Sequence, residues 1–302
     1  MDLTDAKRIV VIGGGQAAAQ AIQSLRMGGY TGELTLVGEE PALPYQRPPL
    51  SKAYMKGEFA EERLYFKPAA WYADNNVELV LSTRAIAINR THRKVELEHG
   101  GHLDYDALII ATGSRPRGLP IDGADLEHVY ALRGLADVER IRPQMVAGRS
   151  ILIVGAGYIG LEAAAVAQQM GLKTTVLEMA PRVLARVTSP VMSEFYETEH
   201  RRQGVDIRTE TSLSKLEGKG GAVTAAQLSD GTKLGADIVL VGIGILPNEE
   251  LAKDAGIACN NGILVDRDAR TSDPRIFAAG DCASRPLVHF GRAGRLESVH
   301  NA

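Results

Sequence analysis

Gly13, Gly15 and Ala18 stand at the spacing G-x-G-x-x-small directly after the apolar run Ile9 to Ile12, and Gly155, Gly157 and Gly160 repeat that spacing after Ile151 to Val154. In a strand–turn–helix unit the first glycine permits the tight turn and the second lets the main chain approach a pyrophosphate. The third packs helix on strand, and the phosphates lie at the helix N-terminus. Two such crevices imply two dinucleotides. Glycine-rich turns also connect strands to helices without holding anything, so the flanks decide. The first fingerprint runs into Ala17 to Met27, rich in helix formers, stops at Gly28-Gly29 and continues as the strand Leu34 to Val37, ending at Glu39. The second runs through Tyr158 and Ile159 into Leu161 to Met170, stops at Gly171 and continues as Thr174 to Leu177, ending at Glu178. An acid roughly 20 residues beyond the glycines is where a carboxylate accepts hydrogen bonds from an adenosine ribose. Glu39 and Glu178 are therefore ribose-binding candidates, and Glu178 predicts a preference for NADH. Arg182 and Arg186, close behind, are placed to pair with a 2′-phosphate and soften that preference.

The elements that must position these groups are an α/β set. Lys94 to Leu97, a turn at Gly100-Gly101 and Asp104 to Ile110 read as a small β-meander ending in the apolar strand before Ala111-Thr112-Gly113. A second copy runs from Ala225 to Leu228 through Asp230-Gly231 to Asp237 to Val241, closing at Gly242 to Gly244. Arg275 to Asp281 supplies one further strand for the first unit. Strands that are apolar at every position demand parallel sheets covered on both faces. The expected fold is two Rossmann-like dinucleotide-binding domains with parallel sheets and β-meanders, the second inserted in the first. Residues 1–112 and 243–302 form the one and residues 113–242 the other.

Composition narrows the class. The chain has 302 residues, enough for two ordinary domains, with 45% hydrophobic residues and a net charge of -3, which excludes a nucleic-acid binder and a basic membrane-surface protein. No apolar stretch reaches the roughly 18 residues of a membrane span, and Met1 to Arg8 carries no signal-peptide pattern, so a cytoplasmic enzyme without membrane attachment is expected. Cys259 and Cys282, the only 2 cysteines, have no CxxC spacing; neither a redox pair nor a metal site is expected.

With two fingerprints, the Ala111-Thr112-Gly113 turn and the Ile276 to Asp281 block in this order, the whole chain resembles the two-dinucleotide-binding flavoprotein reductases related to glutathione reductase. The resemblance implies FAD in the first domain and NADH in the inserted one, with Arg115 among the cofactor contacts and Asp281 hydrogen-bonding the flavin ribityl chain. Leu43-Pro44-Tyr45-Gln46-Arg47-Pro48-Pro49-Leu50-Ser51-Lys52 looks like the signature of ferredoxin reductases serving bacterial Rieske oxygenases and soluble cytochrome monooxygenases. On that likeness Arg47 contacts FAD, Lys52 sits near flavin N5, and Glu162 pairs with Lys52 and gates the nicotinamide pocket. No thiol near the flavin is available to take a hydride equivalent, so electrons leave for an outside acceptor, a 2Fe-2S ferredoxin. Rubredoxin, oxygen, an apoptosis-inducing-factor-like activity and a non-catalytic FAD/NADH redox sensor remain the alternatives. Val299 is expected to begin a helix whose amides face the flavin. The family continues beyond this point as a small α+β interface domain, expected to be absent here, leaving a monomer or weak homodimer.

Overall fold

The computed structural model describes residues 6–298, which divide into two units. The first unit comprises the chain up to Gln46, Glu62–Arg115 and the chain from Leu246 onward. Its centre is a five-stranded parallel sheet of β1 (Arg8–Ile12), β2 (Glu33–Val37), β3 (Val77–Val80), β7 (Ala107–Ile110) and β19 (Ile276–Ala278), in the order β19-β7-β1-β2-β3. β1 is apolar from Ile9 onward because both its faces are covered. Val10 and Ile12 pack with Tyr105, Ile257 and Ile263, whereas Ile9 and Val11 pack with Ala18 and Ile22 of α1 (Gln16–Met27) and Tyr72 of α2 (Ala69–Asp74).

The antiparallel meander of β4 (Ala85–Asn89), β5 (Lys94–Leu97) and β6 (His102–Asp104) closes one face through Ile88 and Val95. The sequence reading carried this meander on to Ile110; the structure ends it at Asp104. The Asp106 carboxylate accepts the backbone N–H groups of Lys7 and Arg8 at 3.1 and 3.0 Å, and this tie delivers β7 to the parallel sheet instead. The missing strand is β19, paired with β7.

The second unit comprises Arg47–Glu61 and Pro116–Ile245. The chain passes between the units along β8 (Ser114–Pro116) and β17 (Ile245–Pro247). The second parallel sheet contains β9 (Val129–Ala131), β10 (Ser150–Val154), β11 (Lys173–Leu177), β12 (Asp206–Arg208) and β16 (Ile238–Val241), in the order β12-β11-β10-β16-β9. The meander β13 (Leu213–Lys219), β14 (Ala222–Leu228) and β15 (Lys233–Gly235) buries Leu216, Val223 and Ala226 against Leu152 and Val154. Helices α3 (Leu135–Ile141), α4 (Tyr158–Gln169) and α5 (Pro190–Arg202) complete this unit. In the first, α6 (Glu250–Asp254), β18 (Ile263–Leu264), β20 (Ala283–Leu287) and β21 (Arg292–Gly294) complete the set.

One boundary differs from the sequence reading. The segment 47–61 groups with the second unit rather than lying within the first. The cause is local: Arg47 Nη1 donates to the Arg133 carbonyl at 2.6 Å, and the buried Tyr54 donates its hydroxyl to Glu139 at 3.0 Å with the Arg142 guanidinium 5.2 Å from its ring centre. Burial, reinforced by the Glu139 carboxylate, pushes the Tyr54 phenol up to about 12, so it stays a neutral donor. The other two changeovers fall after Arg115 and Ile245, not at 112 and 242.

Candidate functional site

Each parallel sheet has a switch point where the strand order reverses, between β1 and β7 in the first unit and between β10 and β16 in the second. Ligands of open α/β sheets bind in the crevice beyond the carboxyl ends of such strands. Both crevices are built the same way. Gly13 has φ +118°, and a Cβ there would stand 2.2 Å from the Ala111 carbonyl oxygen; Gly155 has φ +106°, and a Cβ there would stand 2.5 Å from that of Gly242. The glycines let the two loops of each crevice meet backbone to backbone.

A Cβ on Gly15 or Gly157 would meet nothing within 4 Å. Each of these residues is the N-cap of its helix, and neither gives a side-chain cap. Open space before an uncapped helix N-terminus is what a pyrophosphate requires, so the residues present fit a dinucleotide in both crevices. The third positions differ: Gly160 lies so close to Gly155 that a Cβ would be 2.0 Å from its carbonyl oxygen, whereas the Ala18 methyl is accommodated, fully buried.

The acids expected at the ribose are not equivalent. Glu39 is exposed, at the end of β2. Glu178 is half-buried, and its two oxygens accept the backbone N–H groups of Ala156 and Ala180 at 2.8 and 2.9 Å. It thus ties the glycine loop to the end of β11. Arg186 is exposed, its guanidinium 3.6 Å from where a Cβ on Gly244 would stand. Arg182, also expected to pair with a 2′-phosphate, is engaged within the protein. Its guanidinium donates to the carbonyls of Thr188 and Ala185 and to the Ser193 hydroxyl, at 3.0, 2.8 and 2.6 Å, and holds the loop before α5. Tyr158 and Ile159 are 54% and 42% exposed, at the mouth of the second crevice.

Lys52 and Glu162 meet, Nζ to Oε2 at 2.5 Å, within the second unit. Lys52 also donates to the Pro48 carbonyl at 3.2 Å, and the buried Ser51 donates its hydroxyl to the same Glu162 oxygen at 2.6 Å. Sequence reasoning missed Ser51, although its position beside Lys52 was a usable signal.

In the first unit Thr112 and Asn248 exchange hydrogen bonds. The Thr112 hydroxyl donates to the Asn248 carbonyl at 2.7 Å, and the Asn248 amide donates to the Thr112 carbonyl at 2.9 Å. Arg115, expected among the cofactor contacts, forks onto the Glu250 carboxylate at 2.6 and 3.1 Å and donates to Asn248 Oδ1 at 2.9 Å. A planar guanidinium matches a carboxylate in two parallel bonds, and this pairing holds the Glu250 carboxyl below its usual range. Asp281 lies in the 3-10 turn Gly280–Cys282 and accepts the Ser114 hydroxyl at 2.9 Å. Val299 lies outside the described residues. Neither cysteine is poised as a thiolate: burial pushes Cys259 up to about 11 and raises the wholly buried Cys282 also. Among the described residues no cluster of His, Cys, Asp and Glu could hold a metal ion.

The pyridine nucleotide-disulphide oxidoreductase model matches residues 7–302. The chain belongs to this family. Within the family it is 44% identical to rhodocoxin reductase of Rhodococcus erythropolis over 296 residues, 97% of this chain and 69% of that one. It is also 44% identical to putidaredoxin reductase of Pseudomonas putida over 299 residues, 97% of this chain and 71% of that one. Among solved structures, the covalent putidaredoxin reductase–putidaredoxin complex matches with a TM-score of 0.95 at 43% identity, covering 98% of this chain and 72% of that one. Among the described residues both cysteines are free and burial raises both thiols, which disfavours the reactive thiolate.

Proposed function

We propose that this chain is an NADH-dependent, FAD-containing ferredoxin reductase, passing electrons from NADH through FAD to a 2Fe-2S ferredoxin that serves a cytochrome monooxygenase or Rieske dioxygenase in the cytoplasm. The observation that carries this reading is the coexistence of two dinucleotide crevices with, among the described residues, only cysteines whose thiols burial holds protonated. FAD, when bound, supplies the change from a two-electron donor to a one-electron acceptor.

The chain's own residues do the remaining work. The amides that open α1 and α4 take the two pyrophosphates, with Gly15 and Gly157 leaving room for them. Glu39 and Glu178 accept from the adenosine riboses, and Glu178 repels a 2′-phosphate. Asp281 accepts from the ribityl chain. Lys52, held by Glu162, supplies a positive charge that favours the reduced flavin, and Tyr158 and Ile159 border the nicotinamide crevice. Among the described residues no helix is long and apolar enough to cross a membrane.

Steady-state NADH oxidation by the FAD-loaded protein, with and without a 2Fe-2S ferredoxin, tests the reading. Turnover that rises with ferredoxin concentration supports it. Turnover that depends only on oxygen, or only on rubredoxin, replaces it with the corresponding oxidase or rubredoxin reductase, and tight binding of both cofactors without turnover with any acceptor makes the protein a sensor.

A further inference from the structure

Arg182 and Arg186 share the loop between β11 and α5, and the structure uses them differently. Arg182 is half-buried. Its Nη2 donates to the Ala185 carbonyl at 2.8 Å and its Nη1 to the Thr188 carbonyl at 3.0 Å, so one planar group grips the chain on both sides of Arg186. Nη1 also donates at 2.6 Å to the buried Ser193 hydroxyl, which itself donates to the Val183 carbonyl at 2.6 Å and ties α5 to the start of the same turn. Between these anchors the buried Leu184 takes φ +52°, a left-handed conformation that a bulky residue keeps only where its surroundings over-determine it. Held there, its N–H donates to the Ala156 carbonyl of the second fingerprint at 2.9 Å. Arg186 is exposed on this gripped turn. Among the described residues it forms neither a hydrogen bond nor an ion pair, and its Nη2 stands 3.6 Å from where a Cβ on Gly244 would be, on the loop that follows β16 at the switch point.

We infer that Arg182 is a positioning residue for cofactor binding, whose guanidinium holds the turn 183–188 so that Arg186 is carried at the second crevice as a cation for a phosphate of the dinucleotide. The inference rests on the reading that this unit binds the nicotinamide cofactor. A lysine would keep the charge of Arg182, but its single ammonium cannot reproduce the planar fork that grips two carbonyls. A turn fixed before the ligand arrives avoids the ordering cost that a loose one adds to binding, so nucleotide affinity is the quantity that should respond. Two phosphates could be met. The pyrophosphate is present in both NAD+ and NADP+, and the 2′-phosphate only in NADP+.

The test is calorimetric titration of the FAD-loaded, oxidised protein with NAD+ and with NADP+, at low and high salt, for wild type, Arg182→Met, Arg182→Lys, Arg186→Met and the double variant Arg182→Met/Arg186→Met. Arg182→Met should weaken nucleotide binding by about tenfold, which is about 1.4 kcal/mol, and Arg182→Lys by nearly as much. Both should flatten the salt dependence of binding as Arg186→Met does, because an exposed cation that no longer meets the phosphate leaves less to screen. In the Arg186→Met background, Arg182→Met should change the affinity by less than about twofold, since two groups acting as one are not additive. Weakening of both nucleotides identifies the pyrophosphate and weakening of NADP+ alone the 2′-phosphate; either supports the inference. An undiminished effect in the double variant makes Arg182 merely structural and overturns it. So does wild-type affinity in Arg182→Met, or in Arg182→Lys, where charge alone would then suffice. If Arg182→Met does not fold, Arg182→Lys taken through the same cycle with Arg186→Met decides. Failure of the wild-type protein to bind either nucleotide removes the reading of this unit, and the inference with it.

Discussion

Replacing Glu178 by Gln separates the backbone tie that the structure gives this side chain from the cofactor discrimination proposed for it. Its Oε2 and Oε1 accept the N–H groups of Ala156 and Ala180 at 2.8 and 2.9 Å, so the carboxylate ties the glycine loop, and in the proposed function it also meets the ribose. Against a 2′-phosphate, one like-charge contact at about 4 Å costs about 1 kcal/mol in water and about 4 kcal/mol at a surface-like dielectric. The half-buried position of Glu178 lies between those limits. With about 1.4 kcal/mol per factor of ten, the selectivity for NADH over NADPH in kcat/KM should fall by at least about tenfold in Glu178→Gln, chiefly through a gain for NADPH. The exposed Arg186 would add to that gain.

The amide also keeps one acceptor oxygen and loses the other, so one backbone N–H is left without its partner. Hydrogen bonds to charged groups are worth about 1.5–3 kcal/mol, and the loosened loop should raise the KM for NADH severalfold with little change in kcat. Initial rates with both cofactors, at saturating acceptor, decide the matter. A selectivity ratio unchanged in Glu178→Gln would remove this residue from cofactor discrimination and refute the electrostatic argument.

The remaining expectations concern charge, backbone space and acid. Lys52→Met should slow flavin reduction by NADH in stopped-flow measurements and lower the flavin midpoint potential, since a positive charge favouring the reduced flavin is gone. Because the Lys52 and Glu162 side chains are 49% and 34% exposed, its melting temperature should barely move; a wild-type rate and potential would dismiss the role. Gly13→Ala should fail to fold into a flavin-binding form, its Cβ meeting the Ala111 carbonyl, whereas Gly15→Ala should keep the wild-type melting temperature of the flavin-free protein and lose FAD. Thermal unfolding and bound-flavin absorbance distinguish the two, and indistinguishable variants would contradict the steric account. The Ser150 N–H and hydroxyl hold the Asp237 carboxyl below its usual range. A depressed folded-state pKa contributes stability that is present above the ordinary aspartate value, about 3.9, and is lost as pH falls through the folded value. The destabilisation caused by Asp237→Asn, measured by urea unfolding, should therefore shrink steadily on going below about pH 4, and a penalty independent of pH would show that the carboxylate's charge is not involved.

What the sequence made legible is what short-range pattern encodes. Glycine spacing, continuous apolar strands and terminal acids identified both crevices, and Ile276 to Ala278 could be recognised as the missing strand because it is apolar at every position. Partner choice over long distances carries no such pattern. Arg115 and Glu250 are 135 residues apart, Ser51 and Glu162 are 111 apart, and nothing local distinguishes an arginine aimed at a carboxylate from one aimed at a phosphate. The partners of Arg182 were hidden for the same reason: the carbonyls of Ala185 and Thr188 become acceptors only once the loop has turned back on it. The grouping of residues 47–61 with the second unit likewise depends on contacts with α3 and α4 that become visible only in three dimensions.

The close approach of Gly13 to Ala111, and of Gly155 to Gly242, has a consequence for how such a protein can change. In each pair the contact is made by a carbonyl oxygen, which every amino acid possesses. Replacing the side chain at 111 or 242 leaves that oxygen standing, so the shape of either crevice is insulated from mutation on one side and absolutely dependent on a glycine on the other. Residues around the rim, such as Glu178 or Arg186, are then free to be exchanged for a new cofactor without redrawing the crevice itself. The chain thus separates a scaffold written in main chain from a specificity written in side chains, and a library that randomises the rim while sparing Gly13 and Gly155 should yield folded variants at a far higher rate than one that touches either glycine.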